Sequence, residues 1–168
     1  MPALLAEVEQ ARVALDQPAA RRVKAGGEQA LSLDEVAALL ASDALVVDAC
    51  RRGLSAGAGW RPLARRPVLF TLALALAEGW PGDVDREALI ARAFRTRRPD
   101  ETHRVRLRVE VGRLRALVKA MARIEATPQG FVLKPRDERN VVVLAPPIAG
   151  DQASLVALLS DGAPWSTS

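Results

Sequence analysis

The stretch RVRLRVEVGRLRALVKA, residues 104–120, constrains the chain most, because it suggests two secondary-structure periods and only one can hold over its length. Strand alternation would set Val105, Leu107, Val109 and Val111 on one face, but it breaks at Gly112 and Leu114. On a helical wheel, Leu107, Val111, Leu114 and Val118 fall within about 60° of one another and form a continuous core stripe. The spacing therefore predicts a helix over about 103–119. The same wheel puts Arg104, Arg108, Arg115 and Lys119 along one flank of the stripe, and Arg106 and Arg113 along the other. Opposite the core lie Val105, Val109, Gly112 and Ala116, all small or short.

This distribution bears on the partner. A solvated salt-bridge helix interleaves acids with its bases at i,i+4, and within the stretch only Glu110 is available. A helix seated in a DNA major groove needs a slim face to approach base edges and cations on both sides to reach the phosphate walls. The wheel fits the second pattern. Packing of Val105 and Val109 against the N-terminal helices is the open alternative. The net charge of +4 is unevenly spread: residues 85–123 hold twelve bases against five acids, and residues 1–50 hold four against eight. Such concentration suggests a polyanionic partner for the basic third, although a solvated surface helix would carry the same charge.

At 168 residues the chain is sized for one domain, or for a small domain with extensions. Residues 3–15 (ALLAEVEQARVAL) carry apolar positions at helical spacing, and QPAARRVKAGGEQ at 17–29 interrupts them as a linker would. Ser32 and Glu35 form an S-x-x-E capping box, so a short helix starts near residue 33. LVVDACRRGLS, from residue 45, is β-rich; AGAG at 56–59 supplies a turn, and WRPL returns as a second strand of a β-hairpin. Pro67 fits the first turn of a helix running to Glu78, with Gly79 ending it. WPGD at 80–83 is a turn, and Asp85 caps REALIARAF, whose Ala88, Leu89, Ala93 and Phe94 face inward. RTRRPDE is a basic loop. After the arginine-rich helix, RIEATPQGFVLKP at 123–135 reads as two short strands about TPQG, and VVVL at 141–144 as another strand. A last amphipathic helix is expected at 152–160, beyond Pro146 and Pro147.

In this order the pieces resemble the winged helix-turn-helix output domains of the OmpR/PhoB type, over roughly residues 45–135. The likeness rests on the leading hairpin LVVDACRRGLSAGAGWRPL and on LALAEGWPGDVDREALIARAF, similar to the family's leucine-rich helix, Pro-Gly turn and following helix start. It rests also on VRLRVEVGRLRALV, with an "srLR"-like signature at Gly112, Arg113, Leu114 and Arg115. The last piece is IEATPQGFVL, similar to the wing in its Ile124, Thr127, Gly130 and Phe131. The resemblance implies an α+β fold: a three-helix core with an N-terminal β-hairpin and a C-terminal wing hairpin. Helical extensions at 1–44 and, after a strand and a Pro-Pro linker, within 136–168 complete the expected organisation.

The resemblance also implies a bacterial transcriptional regulator that binds double-stranded DNA sequence-specifically. The helix near 103–119 would enter the major groove and the wing, 123–133, would touch adjacent phosphates. The residues matched to DNA contact are Arg104, Val105, Arg106, Arg108, Val109, Arg113, Arg115 and Lys119 on the helix, Arg97 and Arg98 before it, and Gln129 in the wing. The loop 95–101 is a candidate contact for RNA polymerase. Two departures stand out. The wing has Gln129 where the family usually has an arginine, and about 44 residues precede the hairpin, too few for a phospho-receiver domain. SLVALLSDGAPWSTS resembles the first helix of another helix-turn-helix, or else a plain packing helix, so the chain is a candidate front part of a longer regulator.

Catalytic chemistry finds no constellation. A single histidine, His103, and a single cysteine, Cys50, cannot form a His/Cys metal cluster. His103 is either a phosphate contact or an ordinary exposed histidine. Asp83, Asp85 and Glu87 are better explained by helix capping. AGAG and AGG lack the phosphate-loop pattern, and Trp60, Trp80 and Phe131 are too scattered for a stacking platform and are expected in the core. No enzyme activity, metal or cofactor is expected. MPALLAEVEQ carries Glu7 and Glu9 where a signal peptide would be basic and then apolar. PVLFTLALALA at 67–77 is too short to span a bilayer. A cytoplasmic protein without a membrane partner is the expectation. The alternative function is a protein–protein interaction module that keeps the winged helix as a scaffold, and residues 1–44 are candidates to pack on it, form a homodimer, or mask its basic face.

Overall fold

The computed structural model of the chain describes residues 18–24, 27–57 and 59–147. The helices expected at 3–15 and 152–160 lie outside them. In chain order the elements are β1 (Ala20–Lys24), β2 (Gly27–Leu31), α1 (Leu33–Ala41), β3 (Leu45–Asp48), β4 (Gly53–Ala56), β5 (Gly59–Pro62), α2 (Pro67–Gly79) and β6 (Val84–Asp85). They continue with α3 (Arg86–Phe94), α4 (Glu101–Val118), β7 (Ala122–Ala126), β8 (Gly130–Pro135), a 3-10 turn (Arg136–Glu138) and β9 (Val141–Ala145). The fold is α+β, with one sheet ordered β2-β1-β9-β3-β4-β5 and another ordered β6-β8-β7.

The two most apolar strands, LVVD and VVVLA, pair in parallel in the larger sheet, Leu45 opposite Val141 through Asp48 opposite Leu144. Every residue of both is buried, because both faces of the sheet are covered. On one face Val46, Val142 and Leu144 meet Val36, Leu39 and Leu40 of α1. On the other, Leu45, Val47, Val141 and Val143 join the main core with Leu54 and the buried sides of α2, α3 and α4.

Residues 18–44 are not a helical extension behind a linker: β1 and β2 form an antiparallel hairpin, and β1 pairs with β9, Val23 opposite Val143. One partner of β1, β9, lies far along the chain, and the nearby hairpin strands ARRVK and GEQAL have too few apolar residues to advertise a period. LVVDACRRGLS is likewise two strands rather than one. The buried carboxylate of Asp48 accepts backbone N–H bonds from Cys50 (2.9 Å) and Arg51 (3.1 Å) and one from Arg51 Nε (2.8 Å), which turns the chain into β4. β4 and β5 then form the expected hairpin.

The same turn shapes its neighbours. Partial burial, and then the Asp48 carboxylate, push the Cys50 thiol up, so it stays protonated near neutral pH. Trp60 is not a core residue: on the exposed edge strand β5 it is 36% exposed, with the Arg51 guanidinium 4.2 Å above its ring. Trp80 packs against the core and Phe131 is buried within it, as expected.

Pro67 opens α2, whose Leu69, Phe70, Leu72, Ala73, Ala75, Leu76 and Ala77 are all buried, as a helix apolar on nearly every side requires. No helix among the described residues is long and apolar enough to cross a membrane. Asp85 caps α3 by accepting from Glu87 N (3.1 Å). The inward residues of α3 are Leu89 and Ile90, with Ala93 and Phe94 half-buried, whereas Ala88 is exposed. Leu89 and Ile90 stand about 100° apart on the helix, and the buried arc centred between them leaves Ala88 outside.

Between the turn WPGD and the helix α3, Val84 and the cap residue Asp85 form the short strand β6. It pairs with β8, Val84 opposite Phe131 and Asp85 opposite Gly130, and so ties the start of α3 to the β7–β8 hairpin. Gly130 is needed there, since a Cβ would run into the Val84 carbonyl.

Candidate nucleic-acid interface

Helix α4 starts two residues earlier than expected because Asp100 caps it. Asp100 Oδ1 accepts from His103 N (3.0 Å), and His103 Nδ1 accepts from Asp100 N (3.2 Å), closing a reciprocal capping box. The His103 N–H holds the Asp100 carboxyl below the usual aspartate range. His103 also stacks on Phe94, ring centroids 6.1 Å apart, so its structural role is to fix the α3–α4 junction.

Four side chains, Leu107, Val111, Leu114 and Val118, form the buried stripe the periodicity predicts. Burial of each such side chain is worth roughly 1.5–3 kcal/mol, which anchors the helix rotationally. The opposite face is therefore turned outward. Val105 and Val109 are 49% and 48% exposed, Ala116 is exposed, and a Cβ added to Gly112 would meet nothing within 4 Å. No described residue fills this face. The described helix of the N-terminal span, α1, packs on the larger sheet instead.

The flanking cations are more engaged than the sequence suggests. Arg104 lies 3.6 Å from Glu87 and 3.5 Å from Glu101, and Arg108 lies 3.6 Å from Glu101. Arg113 pairs with Glu110 at 2.9 Å. Glu110 is thus not the sole acid within reach, because Glu101 enters the helix at its first turn and Glu87 comes from α3. Arg106 lies over the Phe94 ring at 4.4 Å. Arg115 donates from Nε to the Ile124 carbonyl (2.7 Å) and sits 5.7 Å from the Phe131 ring centre, which aims it along β7.

Exposed ion pairs of this kind are worth about 0–1 kcal/mol. A phosphate that offers Arg a bidentate, charge-assisted contact can displace the carboxylate at little cost. The pairs therefore orient the arginines without sequestering them. On the flank that faces the hairpin, Arg86, Arg104, Arg108 and Arg115 line a groove of about 400 Å³ with Ala126 and Phe131.

Arg86 is a residue the sequence reading missed. Its side chain donates to the carbonyls of Thr127 (2.9 Å) and Pro128 (3.1 Å), and its N–H to Gln129 O (3.0 Å), binding the hairpin turn to α3. Thr127 donates to Asp83 (2.7 Å) and accepts from Gly130 N (2.9 Å). Gln129 is exposed at this turn. Arg97 and Arg98 are exposed in the α3–α4 loop, and Lys119 is exposed at the far end of α4, where its carbonyl accepts from Arg136. Among the described residues no group of three His, Cys, Asp or Glu side chains converges as a metal site would require.

Comparison with protein families, curated proteins and solved structures finds no match to this chain.

Proposed function

We propose that the chain binds double-stranded DNA sequence-specifically, as a transcriptional regulator of the winged helix-turn-helix kind. In this reading α2, α3 and α4 are the three-helix core, α4 is the recognition helix and β7–β8 is the wing. The observation that carries it is the outward face of α4: Val105, Val109 and Gly112 are uncovered among the described residues and bounded by arginines on both sides. A B-DNA major groove admits an α-helix, and a slim apolar face suits thymine methyls while flanking guanidinium groups reach phosphates and guanine edges. The element order agrees: a hairpin, a helix, a short strand, two helices, and a second hairpin that pairs with the short strand. Arg97 and Arg98 belong to the loop that would be offered to RNA polymerase.

Duplex binding at low salt tests the proposal. The expected outcome is retardation that weakens linearly with the logarithm of salt concentration, and no retardation by the whole chain would sink it. If Arg113 contacts a phosphate, Arg113→Ala flattens the salt slope by about one unit; if it reads guanine, the loss is about 1–3 kcal/mol and confined to one base position. A second reading draws on the same face: Val105 and Val109 are among the few exposed large hydrophobics, which also suits a docking surface for another protein. Salt-insensitive association with a protein, without DNA affinity, would favour it.

A further inference from the structure

Between Asp48 and Glu78 the chain has no acid but five arginines: Arg51, Arg52, Arg61, Arg65 and Arg66. All five are exposed. Arg51 is held by Asp48 and Trp60, but among the described residues Arg61, Arg65 and Arg66 have no carboxylate within ion-pair distance. These three thus differ from Arg104, Arg108 and Arg113 of α4, each of which already faces an acid.

Their placement follows from the fold. Arg65 and Arg66 precede α2 and share a groove of about 370 Å³ with Glu110 and Arg113, on the flank of α4 that faces away from the hairpin. Arg61 sits on β5 opposite Leu54, whose side chain belongs to the main core, so strand alternation puts Arg61 on the sheet face that the helices cover. Trp60, one residue earlier, points to the other face. Arg113, Arg66 and Arg65 thus share one groove, and Arg61 lies on the neighbouring strand β5, four residues before Arg65 in the chain.

We infer that Arg61, Arg65 and Arg66 form a second phosphate-contact strip, and that a duplex seated on α4 continues across the start of α2 to the β5 edge. This rests on the DNA-binding reading and extends it. A recognition helix needs both phosphate walls of its groove contacted. The wall nearer the hairpin is supplied by Arg104, Arg108 and Arg115. On the other flank α4 itself places only two arginines, Arg106 over Phe94 and Arg113 beside Glu110, and this strip adds three cations there. The unpaired arginines break no internal ion pair on binding.

Fluorescence anisotropy of the full chain with an end-labelled random-sequence duplex, over a salt series, tests the strip. Each phosphate contact contributes about 0.9 to the slope of log affinity against log salt. Arg65→Ala/Arg66→Ala is expected to flatten the slope by about two units, and Arg61→Ala by about one. Circular dichroism melting checks that these exposed substitutions leave the fold intact. Retention of the wild-type slope by both variants, while Arg108→Ala flattens it, would overturn the strip and leave α4 as the site. Absence of duplex binding by the wild type would remove the DNA reading and the strip with it.

Discussion

Gly130 lets the backbones of β6 and β8 close on one another, and Asp100 caps the first turn of α4. At Gly130 the backbone of β6 passes so close that any Cβ meets the Val84 carbonyl, and neither backbone can yield without breaking the β6–β8 ladder. Gly130→Ala is expected to cost about 1–3 kcal/mol in denaturant unfolding, the range for forced overpacking, and an unchanged midpoint would refute the close approach. Asp100 has a depressed carboxyl pKa, so its stabilisation is fully present above the unfolded value, about 3.9, and is lost as pH falls through the lower folded value. Asp100→Ala should therefore lower the melting temperature near neutral pH. The gap to wild type should close in acid, below the ordinary aspartate range, and a gap that persisted there would count against the cap. Both residues were visible in the sequence, Gly130 as part of a family-like Gly-Phe pair and Asp100 as part of a basic loop. Their tasks were not visible, because one depends on a strand two residues long and the other on which residue begins the helix.

At the scale of elements, α4 was legible because its buried stripe follows a local period, and Leu107, Val111, Leu114 and Val118 are buried as the wheel demands. Strands β1 and β6 were not: β6 depends on a partner distant in sequence, Val84 on Phe131, and β1 pairs Val23 with the distant Val143 while its hairpin with β2 is too polar to show a period. The same limit applied to the arginines of α4. The wheel found their two flanks but not the α3 acid Glu87, which reaches Arg104 only after folding. Glu101, facing both Arg104 and Arg108, has a testable consequence. Glu101→Gln should raise duplex affinity at low salt by freeing Arg108 and leaving Arg104 with Glu87 alone, and affinity equal to or below wild type would show that Glu101 does not compete with phosphate.

At the scale of the whole molecule, the described strands β1, β2 and β3 belong to the larger sheet, and Val47 of β3 shares the main core with α2, α3 and α4. β1 covers one side of β9, and α1 covers Val46, Val142 and Leu144. Removal of residues 1–44 should therefore strip the sheet, bare the β9 edge, and produce an aggregating chain rather than an unmasked DNA binder. Size-exclusion chromatography with thermal melting would detect this, and a monomeric 45–168 chain with the wild-type melting temperature would argue that the halves are independent. On the proposed DNA-binding reading, the outward face of α4, Val105 and Val109 between arginine flanks, reads base pairs. Selection of bound sequences from a random duplex library by the full chain tests it most directly. The expected result is enrichment of a contiguous motif that Val109→Glu weakens or abolishes, whereas a bound pool indistinguishable from the starting library would contradict the claim.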